Sequence, residues 1–131
     1  MGTFSVPISI GDPQGENWIE FDALVDTGAS VTSVPGSFLV DLGITPAAQH
    51  GFEFAQGERR VMDLGEARIR VEGRETGTLV VFNDEGTPPL LGALALEALF
   101  LGVDPVKQRL IPVDGLLMSP LDSDWGERQD K

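Results

Sequence analysis

The sequence predicts a mostly β domain carrying one C-terminal helix, and three features predict it. Sixteen Gly and nine Pro punctuate 131 residues, spacing them into short apolar runs, as turns do between strands. Several of those runs alternate apolar with polar residues, the period of a strand with one buried face. Only one, Ala93 to Leu101, has helical spacing, with Leu96, Leu99 and Phe100 on one side and Gly102 closing it. Leu94, Leu96, Leu99 and Phe100 are expected in the core.

Taken in order, Phe4, Val6, Ile8 and Ile10 form a first strand, turned by Gly11-Asp12-Pro13-Gln14-Gly15. Trp18 to Asp26 forms a second that becomes fully apolar at Ala23-Leu24-Val25 and stops at Asp26-Thr27-Gly28. Val31 to Val34 follows, and Ser37 to Leu42 with Gly43 behind it makes a short helical connector. His50, the only histidine, lies in a loop before a hairpin running from Phe52 to Val71. That hairpin turns near Gln56-Gly57-Glu58 and returns with Ala67, Ile69 and Val71 inward and Glu66, Arg68, Arg70 and Glu72 outward. Arg59 and Arg60 near its tip face solvent or contact a bound molecule. Thr78 to Phe82 reads as a strand covered on both faces, Asn83 to Pro89 as a polar loop, and Leu90-Leu91-Gly92 as a strand end before the helix. Val103-Asp104-Pro105 and Arg109 to Val113 close as a small hairpin. Residues 1–113 make the domain, and the acidic segment 114–131, with Trp125, is expected to be a flexible tail.

Composition excludes several functions. A formal charge of −12 and a pI near 4.2 argue against nucleic acid or an anionic membrane as partner. The absence of Cys and the single His leave no thiolate site and little for a metal, so neither metal nor cofactor is expected. The most apolar stretch, Pro88 to Val103, carries Glu97 and two prolines and is too short for a bilayer. With no basic leader at the N-terminus, the expected address is cytoplasmic.

The chemistry concentrates at Asp26. A carboxylate placed directly after three apolar residues is half desolvated, a setting in which an acid can serve as a catalytic acid or base. Gly28 permits a tight turn and close approach, and Thr27 supplies a hydroxyl. The bland reading is a β-turn with an Asp cap.

Asp26-Thr27-Gly28-Ala29-Ser30 after an apolar strand, a Gly-tipped hairpin, and Leu90-Leu91-Gly92 leading into a Leu-rich helix together resemble the retropepsin-like (retroviral-type) aspartic proteases, including their small prokaryotic members. The resemblance spans residues 4 to 113. It implies a closed-barrel-like acid-protease fold, with Asp26 as catalytic aspartate and Thr27 and Gly28 supporting a catalytic pair. It implies substrate contacts at Ala29, at a flap tip of Ala55, Gln56 and Gly57, and at Pro89 and Leu90 of the wall loop. Leu91 and Gly92 would pack behind the active-site loop. Many viral members carry an acid where Ser30 stands and an Arg where Ala93 stands, and this chain lacks both.

Such proteolysis needs two carboxylates, and one chain supplies one. Asp41-Leu42-Gly43 and Asp63-Leu64-Gly65 lack the Thr or Ser and the apolar lead-in. The implied enzyme is therefore a homodimer acting on extended peptide or protein substrates. The alternative is an interaction module on the same fold with little or no proteolysis; the complete Asp-Thr-Gly favours the enzyme.

Overall fold

The computed structural model describes residues 3–117. Nine strands and two short helices follow in order among them: β1 (Ser5–Gly11), β2 (Trp18–Val25), β3 (Thr32–Pro35), α1 (Gly36–Asp41), β4 (Ala48–Glu53), β5 (Arg59–Val71), β6 (Arg74–Asn83), β7 (Leu90–Leu91), α2 (Ala93–Ala98), β8 (Leu101–Asp104) and β9 (Arg109–Pro112). Seven strands form one sheet in the order β1-β2-β7-β3-β6-β5-β4, and β1 also pairs with β5. That extra pairing, Ser9 to Arg70 through Gly11 to Arg68, closes six of the strands into a ring and leaves β4 outside it. The barrel expected from the sequence is present.

Closure follows from the alternation. Val6, Ile8 and Ile10 of β1 and Ala67, Ile69 and Val71 of β5 all point inward, where they meet Val34, Leu39, Val80, Leu91 and Leu96 in one apolar cluster. The two outward arginines, Arg68 and Arg70, are tied down in turn. Arg68 and Arg70 both donate to Glu75 across the β5–β6 hairpin, at 2.7 and 2.8 Å, and the Arg70 guanidinium stacks on the Trp18 ring at 3.7 Å.

Five readings of the sequence are corrected. There are two helices rather than one, because the connector at residues 36–41 completes a helix. Helix α2 stops at Ala98, short of Leu101, because Phe100 adopts φ 55° and Arg74 donates to the carbonyls of Leu99 and Phe100 from β6. Leu96 and Leu99 are buried as expected, whereas Leu94 and Phe100 face outward, 41% and 51% exposed. His50 lies within β4, paired with Met62 of β5, rather than in a loop. Strand β6 starts at Arg74, and only Val80 and Val81 are buried in succession along it. The segment read as a flexible tail lies largely outside the described residues, Trp125 included. No described helix is long and apolar enough to cross a membrane.

Acid should loosen this fold. Backbone N–H donors, Glu16 foremost, hold the Asp12 carboxyl below the usual carboxylate range, and Arg70 and Arg68 do the same to Glu75. A depressed carboxyl stabilises the fold above its unfolded value of about 4, and that contribution disappears as pH falls through the lower folded value. Tm measured from pH 7 to pH 3 is expected to fall progressively below about pH 4; a Tm that holds constant to pH 3 would contradict it.

Candidate active site

Asp26 stands at the end of β2, whose last residues Leu24 and Val25 run parallel to Leu90 and Leu91 of β7. Its backbone N–H donates to the Leu91 carbonyl at 3.0 Å, and Leu24 N–H donates to the Pro89 carbonyl at 2.9 Å. The strand end is thus clamped from one side. Beyond it the chain turns sharply: Ala29 N–H reaches back to the Asp26 carbonyl at 3.1 Å, and Gly28 N–H donates to Asp26 Oδ1 at 2.9 Å. The carboxylate is half-buried and held by a backbone donor, with Thr27 and Gly28 exposed beside it.

The other side of the turn is fixed by β7 and α2. Ala93 N–H donates to the Ala29 carbonyl at 2.8 Å and Leu94 N–H to the Ser30 carbonyl at 3.0 Å. Gly92 N–H donates to the buried Thr32 Oγ1 at 3.0 Å. A Cβ on Gly92 would lie 2.6 Å from the Val31 carbonyl carbon and 2.8 Å from the Thr32 nitrogen, so the two backbones touch directly. Asp26, Gly28, Ala29, Pro89, Leu90, Leu91 and Gly92 therefore form one hydrogen-bonded unit, with Thr27 carried in the turn between Asp26 and Gly28. Thr32, which the sequence did not single out, is its buried acceptor.

Ala55, Gln56 and Gly57 sit apart, at the exposed tip of the β4–β5 hairpin. Gly57 takes φ 85° and donates to the Phe54 carbonyl at 2.8 Å, with Phe54 N–H on the Glu58 carbonyl at 2.7 Å, so the tip is a closed turn. No hydrogen bond joins it to the Asp26 turn among the described residues. The link is apolar: Val31, just past that turn, packs with Phe52, Phe54, Met62, Leu64 and Val81 in a second cluster.

The remaining acid–x–Gly triplets lie elsewhere. Asp41 ends α1, and Asp63 lies inside β5, accepting from Gln49 at 2.9 Å. Arg59 lies over Gly51, while Arg60 is paired rather than free, donating twice to Asp84 at 3.0 Å. Glu85 beside it accepts from the Ser37 hydroxyl and N–H, which hold its carboxyl below the usual range. The loop after β6, read as a plain polar connector, is thus anchored on both sides. Among the described residues, no cluster of three or more His, Asp or Glu side chains is placed to hold a metal.

This architecture is shared with solved retroviral proteases and a retroviral protease-like domain. The retroviral protease-like domain of Ddi1 from Leishmania major matches with a TM-score of 0.55 at 17% identity, over 88% of this chain and 91% of that one. The EIAV protease, solved with an inhibitor, matches at 0.54 and 19% identity over 75% and 88% of the two chains. The simian foamy virus (mac) protease matches at 0.51 and 22% over 71% and 91%. The chain has the retropepsin-like fold. No family model matches the sequence, and no curated protein does.

Proposed function

We propose that the chain is an aspartic endopeptidase working as a homodimer, with Asp26 facing its own copy. The observation that carries the reading is the Asp26 turn itself. The backbone of half-buried Asp26 is tied to β7 through Leu91, and its carboxylate accepts from Gly28 N–H, on a fold shared with solved retroviral proteases. In the proposed dyad the two carboxyls share one proton. One takes a proton from a water whose oxygen attacks the scissile carbonyl carbon, while the other gives its proton to the carbonyl oxygen. The tetrahedral intermediate then collapses, the C–N bond breaks, and the nitrogen leaves protonated. Ala29, the hairpin tip at Ala55, Gln56 and Gly57, and Pro89 with Leu90 contact an extended peptide in this reading. No metal or cofactor takes part.

Digestion of a peptide library, with pepstatin as inhibitor control, tests the activity. Cleavage that pepstatin abolishes supports it, and a chain that binds peptides without cutting them supports the interaction module instead.

Assembly should limit activity. Each subunit carries −12, and the repulsion between two such surfaces weakens as salt shortens the Debye length, to about 3 Å near 1 M. Specific activity is therefore expected to rise with protein concentration at neutral pH and low salt, and sedimentation to show more dimer at about pH 5 or in about 1 M salt. A strict monomer with full activity would overturn the one-aspartate argument.

A further inference from the structure

The β4–β5 hairpin projects past the barrel. Pairing of β5 with β6 runs from Val71 only as far as Leu64, and from Asp63 to Arg59 its sole strand partner is β4, itself an edge strand. A lone two-stranded hairpin is marginal in water, so side-chain contacts must set where this one sits. One set is the apolar cluster of Phe52, Phe54 and Met62 with Val31 and Val81.

The other is Arg60. Both of its terminal nitrogens donate to the two Asp84 oxygens, each at 3.0 Å, and its guanidinium lies over the Phe54 ring, 5.4 Å from the centroid. A planar fork on a carboxylate fixes direction as well as distance. Asp84 is a firm post for it. Thr87 closes a turn onto the Asp84 carbonyl through its hydroxyl at 2.6 Å, and the neighbouring Glu85 is pinned to the start of α1 by Ser37. The same loop runs on to Pro89 and Leu91, whose carbonyls hold β2 and the Asp26 N–H.

We propose that Arg60 is a positioning residue, its bidentate pairing with Asp84 latching the β4–β5 hairpin to the 83–89 loop and so setting how firmly an extended peptide is gripped between hairpin and Asp26 turn. The grip on peptide rests on the protease reading above; the latch itself does not. The pair is solvent-facing, 37% and 59% exposed, so it adds little to global stability. Its effect is local, on the one segment with no other polar tie to the barrel among the described residues.

The test uses Arg60→Gln, Asp84→Asn and the double variant, at a protein concentration that keeps the enzyme assembled. Each single variant is expected to raise KM about three- to fivefold with kcat changed by less than roughly twofold, the range open to a well-formed surface pair. Hydrogen exchange at the Phe54 and Gly57 amides should quicken by a similar factor, while β1 and β2 amides keep their rates. The double variant should be no worse than either single one, because the two side chains act through each other. Unchanged exchange at the hairpin, exchange that quickens throughout the barrel, or additive singles would each overturn the latch. A wild-type chain that cuts nothing would remove the protease reading, and the exchange rates would then decide the latch on their own.

Discussion

Asp26→Asn is expected to abolish peptide cleavage, lowering kcat by about a thousandfold or more, while fold and assembly stay as they are. The amide has the shape of the carboxyl and keeps an oxygen to accept the Gly28 N–H, now at 2.9 Å, so the turn loses nothing that holds it. It cannot take a proton from water. Because each subunit brings the same residue, one substitution removes both halves of the proposed dyad. A sharper consequence follows from mixing. If subunits exchange, a wild-type subunit that meets a substituted partner is inactive, so at a protein and salt concentration where sedimentation shows the chains fully dimeric, a tenfold excess of Asp26→Asn chain should cut wild-type activity to about a tenth by mass action. Undiminished turnover in the pure variant sinks the catalytic assignment. Undiminished turnover in the mixture, with the pure variant dead, would instead mean that one chain holds a complete site.

Assembly and acid stability pull in opposite directions. Protonating surface carboxyls eases the approach of two acidic subunits, yet it also removes the acceptors that Asp12, Glu75, Asp84 and Glu85 offer in the folded chain, all held below the usual carboxylate range by their donors. The Arg60 latch belongs to that set, since Arg60 is what depresses Asp84.

What the sequence showed, and what it hid, divides by the range of the forces involved. The Asp26 turn was legible because an apolar run ending in an acid and a glycine is a local pattern. Strand β5 was legible because its alternation is long, buried at Ala67, Ile69 and Val71. The start of β6 was not, since Glu72 takes φ 54° ahead of Gly73 in a two-residue turn where Asn or Asp is the usual signal. Strand β4 carries Ala48, Gln49 and His50 exposed in succession, so it has no alternation to read and exists through its pairing with β5. The end of α2 depends on Arg74, remote in sequence, which ties up the Leu99 and Phe100 carbonyls. Leu99 and Phe100 continue the apolar spacing beyond the point where the helix has stopped. Arg60 on Asp84 is likewise a pairing between strand β5 and a loop remote in sequence, invisible to any local rule.

Gly92→Ala is expected to be the most damaging small change to the scaffold. Backbone freedom is not the reason, for Gly92 has φ −96° and ψ 174°, an extended conformation open to any residue. The reason is contact. The added methyl would meet the Val31 carbonyl carbon at 2.6 Å and the Thr32 nitrogen at 2.8 Å, main-chain atoms that cannot swing aside as the end of a flexible side chain can. Relief requires β7 to separate from the residues following the Asp26 turn, which stretches the hydrogen bond from Gly92 N–H to Thr32 Oγ1 and those from Ala93 and Leu94 to Ala29 and Ser30. Overpacking of this kind costs about 3 kcal/mol, or a Tm lower by roughly 10 °C in a domain of this size. Thr32→Val, which keeps the volume but orphans the buried Gly92 N–H, should cost about 1 to 3 kcal/mol. Combined, the two should fall short of their sum, because the clash already pulls the donor from its acceptor. Asp26 shares this unit through the Leu91 carbonyl, so cleavage should fall with stability in Gly92→Ala, and more steeply than in Thr32→Val. A Gly92→Ala chain with unchanged Tm and full cleavage would show that the backbone contact does not hold the turn.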